Sequence, residues 1–203
     1  MKITRRGTEM NTSGNLPETN TMAPSLQNLV KGDGSWNHFD PATVSGKYLV
    51  LNIFPSIDTP TCATTVREFN KQIASLENTH VLCISKDLPP ALSRFCAAEG
   101  IQNVTPVSAY RTDCSFGRDY GIEIVDGAGE NSAFKNLFGR AVVIIDPTGK
   151  VMHNELVTEL ANQPNYDVCL AKIKQHQQSQ SSSAKMSGQK RQEPELDGAR
   201  CTL

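Results

Sequence analysis

The feature that most constrains this sequence is an alternation of strand and helix patterns between residues 47 and 99. The runs 47–54 (KYLVLNIF) and 80–85 (HVLCIS) are short, apolar and rich in β-branched residues, so we predict two buried strands. Segment 60–76 carries apolar side chains at helical spacing, and 89–99 (PPALSRFCAAE) begins with proline and is followed by glycine. These signals predict a helix after each strand.

The second half of the chain predicts a different arrangement of strands. Segment 103–110 is a weaker strand because Pro106 lies inside it. Segments 141–146 and 150–157 are joined by the turn sequence DPTG and predict a hairpin, and 164–174 predicts a closing helix. Early alternation followed by a hairpin indicates an α/β fold with a mixed central β-sheet flanked by helices.

Composition places most of the chain in one globular domain. The chain has 203 residues, 38% of them hydrophobic, which is enough for a sizeable core. Residues 1–46 are polar, with many turn signals and no clear strand or helix period. Beyond residue 176 the sequence is rich in Ser, Gln and Lys and almost without apolar residues. We therefore predict a domain over 1–176 and a disordered C-terminal tail over 177–203.

Charge and hydropathy exclude several classes of protein. The net charge is −1, without a basic stripe that would indicate nucleic-acid binding. No apolar run approaches the about 20 residues of a membrane helix. Arg5 and Arg6 precede no apolar stretch, so neither a secretory nor a twin-arginine signal is predicted, and the expected location is the cytoplasm.

Six cysteines are the most informative reactive residues. They are Cys62, Cys83, Cys96, Cys114, Cys169 and Cys201. Structural disulfides are not expected in a chain of this size without an export signal. There is no Cys-x-x-Cys pair and the four histidines are scattered, so a zinc site is not predicted.

Cys62 lies where a thiol is easily ionised. In FPSIDTPTC, residues 54–62, a strand ends, a turn follows, and Pro60 opens a helix with Asp58 or Thr59 as its expected N-cap. Cys62 then lies in the first turn, where unpaired N–H groups and the helix dipole favour thiolate. A thiol with a pKa of about 8.5 is about 3% ionised at pH 7, whereas one with a pKa of about 6 is about 90% ionised.

The frame Pro55, Thr59 and Cys62 (Pro-x-x-x-Thr-x-x-Cys) resembles the active-site signature of peroxiredoxins. The likeness covers 45–174 and is to the bacterial-type thiol peroxidases, atypical two-cysteine peroxiredoxins. It is carried by KYLVLNIFPSIDTPTCATTVREFN, VLCISKDLPPALSRFCAAEGIQNV and GRAVVIID. Segment 126–140 is longer than is usual in that group. The resemblance implies a thioredoxin-like fold, a homodimer, hydroperoxide substrates, thioredoxin as reductant, and no cofactor.

The resemblance also implies a role for each site residue. Cys62 would be the peroxidatic cysteine, which attacks the peroxide and becomes a sulfenic acid. Thr59 would hold the thiolate and orient the substrate, and Pro55 would shield the thiolate from water. Arg140 would favour the thiolate and stabilise charge on the breaking bond. Cys96 would be the resolving cysteine, which forms an intramolecular disulfide with Cys62.

Several alternatives remain open on the residues alone. Arg140 can be an ordinary surface residue at the start of a strand, and Cys96 can be a packing residue on the apolar face of its helix. Cys169 or Cys201 can resolve the sulfenic acid across a dimer. A thioredoxin-type dithiol site is excluded because Thr65 occupies the position of its second cysteine. A thioredoxin-fold redox sensor or binding module with little turnover is the alternative function.

Overall fold

The computed structural model describes residues 1–73 and 76–188 of the chain. Its strands are β1 (Lys2–Arg5), β2 (Thr8–Asn11), β3 (Val30–Lys31), β4 (Tyr48–Ile53), β5 (Thr79–Ser85), β6 (Thr105–Ser108), β7 (Arg140–Ile145) and β8 (Val151–Val157). Its α-helices are α1 (Pro60–Gln72), α2 (Pro89–Glu99), α3 (Phe116–Asp119) and α4 (Tyr166–Gly188). Short 3₁₀ helices cover Pro41–Val44 and Gly129–Phe134.

The central sheet is mixed, as the sequence predicts. Six strands lie in the order β3-β6-β5-β4-β7-β8. The strands β4, β5 and β6 run parallel to one another, because α1 and α2 provide the crossover connections between them. The pairs β4–β7 and β7–β8 are antiparallel, so the late hairpin extends the sheet beyond β4.

Each face of the sheet has its own apolar layer. Val50 and alternate residues of the neighbouring strands pack with α1, α2 and α4. Leu49 and Leu51 point to the other face, which is covered by apolar side chains from residues 16–44 and 109–138. The polar-looking residues 1–46 therefore supply buried side chains to the core, among them Leu29, which has no exposed surface.

The N-terminal region also forms a hairpin that the sequence reading missed. β1 and β2 pair through a turn at Arg6 and Gly7, whose φ angles of 52° and 77° favour glycine at the second position. The hairpin buries only Ile3 and Met10, which is too few apolar residues to produce a visible strand period. The backbone N–H of Thr4 donates to Thr158 O at 2.6 Å, tying this hairpin to the segment that follows β8.

The predicted helix 89–99 is confirmed at both ends. Pro89 occupies the first turn of α2, and Gly100 ends the helix with a left-handed φ of 62°. The weaker strand is shorter than predicted, at Thr105–Ser108. Pro106 is tolerated there because β3 pairs only with Val107 and Ser108, so no N–H is required of the proline on that side.

α4 continues past His176, into the segment predicted to be a disordered tail. The Tyr48 hydroxyl lies 2.9 Å from His176 Nδ1, and Gln177 Nε2 donates to Glu77 O at 2.8 Å. Residues 177–187 contain neither glycine nor proline, so helix is permitted where composition alone indicated disorder. The rest of the predicted tail, 189–203, lies outside the described residues. No helix among the described residues is long and apolar enough to cross a bilayer.

Candidate active site

The turn between β4 and α1 presents Cys62 at a helix start, as predicted. Thr59 is the N-cap and Pro60 is the first residue of α1. The side chain of Asp87 fixes this turn, because it accepts from Ile57 N at 2.6 Å and from Ser56 Oγ at 2.7 Å. Cys62 is thereby held in the first helical turn with no exposed surface.

Arg140 brings a positive charge to the sulfur. It is the first residue of β7, whose antiparallel pairing with β4 places Ala141 opposite Ile53, at the end of β4 from which the Cys62 turn leaves. Its Nη2 lies 3.3 Å from Cys62 Sγ, and only 1% of the side chain's surface is exposed. The structure therefore places Arg140 against Cys62, and the alternative of an exposed surface arginine is wrong.

Two further groups hold the guanidinium and were missed from the sequence. Leu160 O accepts from Arg140 Nε at 3.3 Å and from Nη2 at 3.1 Å. Thr65 Oγ1 accepts from Nη1 at 3.4 Å and itself donates to Thr61 O at 2.8 Å. Thr65 is three residues from Cys62 and so shares its helix face, which is a signal that sequence reasoning can use. A backbone carbonyl such as that of Leu160 leaves no such signal.

The partners of Arg140 leave its charge unneutralised by any carboxylate. None of the ion pairs within the described residues involves Arg140. Its neutral partners are a carbonyl and a hydroxyl, and its remaining partner is the Cys62 sulfur. A buried cation without a carboxylate partner favours negative charge beside it, and the Cys62 sulfur is the group in contact with its Nη2.

Thr59 occupies the predicted N-cap position, but its hydroxyl does not cap the helix. Thr59 Oγ1 donates to Ser56 O at 3.1 Å, and no side chain caps the first N–H groups of α1. Those N–H groups therefore keep their partial positive charge near Cys62.

A cavity of about 250 Å³ opens beside these residues, and its wall is formed by segments from several parts of the chain. Pro55, Thr59 and Arg140 contribute to its wall, so three of the five predicted site residues line one space. The other lining residues are Arg5, Arg6, Pro60, Thr61, Phe134, Leu160 and Ala161. Phe134 comes from the long 126–140 segment and the two arginines come from the N-terminal hairpin, so both regions contribute to the cavity wall. Cys62 itself is buried and does not line the cavity.

Cys96 lies near the end of α2, outside the cavity wall, and packs against the same apolar layer as Cys62. Its thiol is free, as is that of Cys62. Burial raises the pKa of Cys96 to about 11, so it is protonated at neutral pH. Two ion pairs connect its helix to the Cys62 region: Arg67–Glu99 at 2.7 Å and Arg94–Asp58 at 3.1 Å.

The other described cysteines do not line the cavity beside Arg140. Cys83 is buried within β5, where Asn52 Nδ2 lies 3.5 Å from its sulfur and burial raises its pKa to about 12. Cys114 is half-buried and Cys169 is buried in α4. Cys201, one of the alternative resolving cysteines, lies outside the described residues.

Comparison with known proteins decides the family. The family model of the redoxins matches residues 17–170. The chain belongs to the redoxin family. The thiol peroxidase of Corynebacterium glutamicum is 51% identical to this redoxin over 170 residues, which cover 83% of this chain and 96% of the relative. The thiol peroxidase of Mycobacterium tuberculosis is 47% identical over 172 residues, which cover 85% and 98%.

Solved structures agree with this placement. A peroxiredoxin-like protein from Aquifex aeolicus aligns with a TM-score of 0.75 at 33% identity, over 86% of this redoxin and 96% of that chain. The thiol peroxidase from Chromobacterium violaceum aligns with a TM-score of 0.77 at 17% identity, over 88% and 98%, which supports the fold alone. The predicted thioredoxin-like fold is confirmed. The resemblance to the thiol peroxidases is also confirmed, and with it the predicted enzyme class, a thiol-dependent peroxidase.

Proposed function

We propose that this redoxin reduces hydrogen peroxide and organic hydroperoxides with Cys62 as its peroxidatic nucleophile. The observation that carries the proposal is the contact of 3.3 Å between Arg140 Nη2 and Cys62 Sγ in a fully buried setting. The guanidinium favours the thiolate, which is the reactive form of a cysteine. It is also placed to stabilise negative charge that develops on the peroxide next to the sulfur.

The first step transfers one oxygen. The Cys62 thiolate attacks the terminal oxygen of ROOH, so an S–O bond forms and the O–O bond breaks. Cys62 becomes a sulfenic acid, and the leaving alkoxide takes a proton from solvent to become an alcohol, or water when the substrate is hydrogen peroxide. Thr59 orients the peroxide through its hydroxyl, and Pro55 limits the access of water; both residues line the cavity beside Arg140.

The second step forms a disulfide with Cys96. The Cys96 sulfur bonds to the Cys62 sulfur, the S–O bond breaks, and water leaves. Cys96 lies on a separate helix, and a disulfide requires Cα atoms within about 7 Å, so we propose that α2 unwinds locally. Proline at its start and Gly100 at its end make α2 the segment with natural breaks at both ends.

Thioredoxin is the proposed reductant. Its dithiol reduces the Cys62–Cys96 disulfide and returns both thiols for the next cycle. We place this activity in the cytoplasm, in a homodimer, on the resemblance stated above. The cytoplasmic location and the homodimer are both proposed from the resemblance and not from a contact within the single chain.

Multiple-turnover peroxide consumption with thioredoxin, thioredoxin reductase and NADPH tests the whole proposal. Wild type is expected to consume many equivalents of peroxide per chain, whereas Cys62→Ser is expected to consume none above background. Cys114→Ser is the matched control, because it removes a half-buried thiol that lies outside the cluster. Full turnover by Cys62→Ser would refute the assignment. A single equivalent consumed by wild type would favour a redox sensor.

A further inference from the structure

A second group of side chains with metal-binding donor atoms lies at the β8 edge of the central sheet. It is on the face covered by helices, where α4 packs on β8. His153 and Glu155 are two residues apart on β8, so they project from the same face of the strand. Their partners on β7 are Ile144 and Val142, which belong to the layer beneath the helices. Cys169 of α4 faces them from above and belongs to the same layer.

The donor atoms of these three residues converge. One ligand atom from each of His153, Glu155 and Cys169 lies within 4.8 Å of both others. Cys169 has no exposed surface. The ring nitrogen Nε2 of His153 is buried and has no hydrogen-bond partner. A buried polar atom without a partner is rare, so an unpaired ring nitrogen on one member of this group points to a missing ligand.

We propose that His153, Glu155 and Cys169 bind a divalent cation of the zinc class. A set of one nitrogen, one sulfur and one oxygen ligand suits Zn²⁺, which takes such donors at about 2.0–2.3 Å. Tetrahedral geometry at those distances requires ligand atoms about 3.3–3.8 Å apart. Side-chain movements of about 1 Å therefore convert the observed group into a coordination sphere.

Neighbouring groups fit this assignment. The backbone N–H of Asn165 donates to both carboxylate oxygens of Glu155, at 3.0 and 3.1 Å, and fixes the orientation of that ligand. Glu155 also lines an open pocket of about 500 Å³ at the start of α4, so its carboxylate can be reached from solvent. When the zinc–sulfur bond forms, the Cys169 thiol releases its proton to solvent.

This site is separate from Cys62 and does not depend on the proposed peroxidase mechanism. None of its three ligands contacts Arg140, whose partners are Cys62, Thr65 and the Leu160 carbonyl. Bound metal would also hold Cys169 as a coordinated thiolate, which makes it unavailable as a resolving cysteine.

Metal titration of the reduced, full-length protein tests the proposal. Competition with a chromophoric chelator measures Zn²⁺ affinity, and Co²⁺ substitution reports a thiolate ligand through its charge-transfer band. Wild type is expected to bind one Zn²⁺ per chain. Cys169→Ser and Glu155→Gln are each expected to weaken binding about tenfold or more, with the charge-transfer band lost only in Cys169→Ser. Cys114→Ser, which removes a distant thiol, is expected to match wild type.

Each remaining outcome counts against the site. Less than about one-tenth of an equivalent bound by wild type overturns it, as does a charge-transfer band that survives in Cys169→Ser. Should Cys169→Ser fail to fold, Glu155→Gln decides, because its side chain lies at the rim of the cavity and its shape is preserved. Wild-type zinc affinity in Glu155→Gln then refutes the proposal.

Discussion

Replacing Arg140 by methionine is the sharpest test of how the site activates its sulfur. Methionine keeps most of the side chain's volume and removes the charge. At 3.3 Å, a guanidinium and a thiolate attract each other by about 5 kcal/mol at an effective dielectric constant of about 20. A hydrogen bond to a charged group is worth about 1.5–3 kcal/mol by mutation, which sets the lower end. Arg140→Met is therefore expected to slow peroxide reduction about 10-fold to 5,000-fold.

The assay is the second-order rate constant for loss of the Cys62 thiol after mixing reduced protein with hydrogen peroxide, followed by quenching and mass spectrometry. Arg140→Met also leaves Leu160 O without its two donors, so melting temperature must be measured in parallel. Arg140→Lys restores charge without the forked geometry and is expected to recover part of the rate. Arg118→Met, at an exposed arginine of α3, is the matched control. A folded Arg140→Met protein that reacts within threefold of wild type would refute the reasoning.

Three further results are expected. Cys96→Ser should form the Cys62 sulfenic acid once at the wild-type rate but lose multiple turnover. Peptide mapping should find the Cys62–Cys96 disulfide in oxidised wild type, and a bridge from Cys62 to any other cysteine would contradict this pairing. Burial raises the pKa of Cys83 to about 12 and that of Cys96 to about 11, so the unfolded chain loses these protons at a lower pH than the folded chain. The urea midpoint of unfolding should therefore fall as pH rises from about 8.5 towards 11, and a flat profile would contradict those directions. Ending the chain at His176 should leave turnover unchanged and melting temperature nearly so, because Ile173 is the last fully buried side chain of α4 up to residue 180. A large loss would show that the removed segment docks on the domain.

The parts of the fold that were predictable from sequence are those with local signals. β4 and β5 are runs of apolar residues, and α2 carries proline at its start and Gly100 at its end, so their limits were correct within one residue. The β1–β2 hairpin was not predictable, because its stabilising contacts are with Thr158 and Leu160, more than 150 residues away. α4 extends beyond the predicted end of its helix at residue 174. A scarcity of apolar residues indicates that a segment adds little to the core, but it does not exclude a helix.

The residues of the candidate site also differ in whether a local sequence signal identifies them. Cys62 and Thr59 were identified from a helix start that is local in sequence, whereas the place of Arg140 required the resemblance to a family. The Leu160 carbonyl was invisible because any residue supplies one. The group formed by His153 and Cys169 was missed because metal-site spacing rules describe ligands on one segment, and these two come from a strand and a helix.

The pairing of β4 with β7 sets the moment in the synthesis of the chain at which Cys62 and Arg140 can first meet. Cys62 and Arg140 are 78 residues apart, and they meet only when that antiparallel pairing closes. At about 5–20 residues per second, a ribosome needs about 4–16 seconds to synthesise the intervening segment. Throughout that interval the Cys62 sulfur has no guanidinium beside it. A nascent chain therefore acquires the contact on which the proposed reaction with peroxides depends only after β7 has been made.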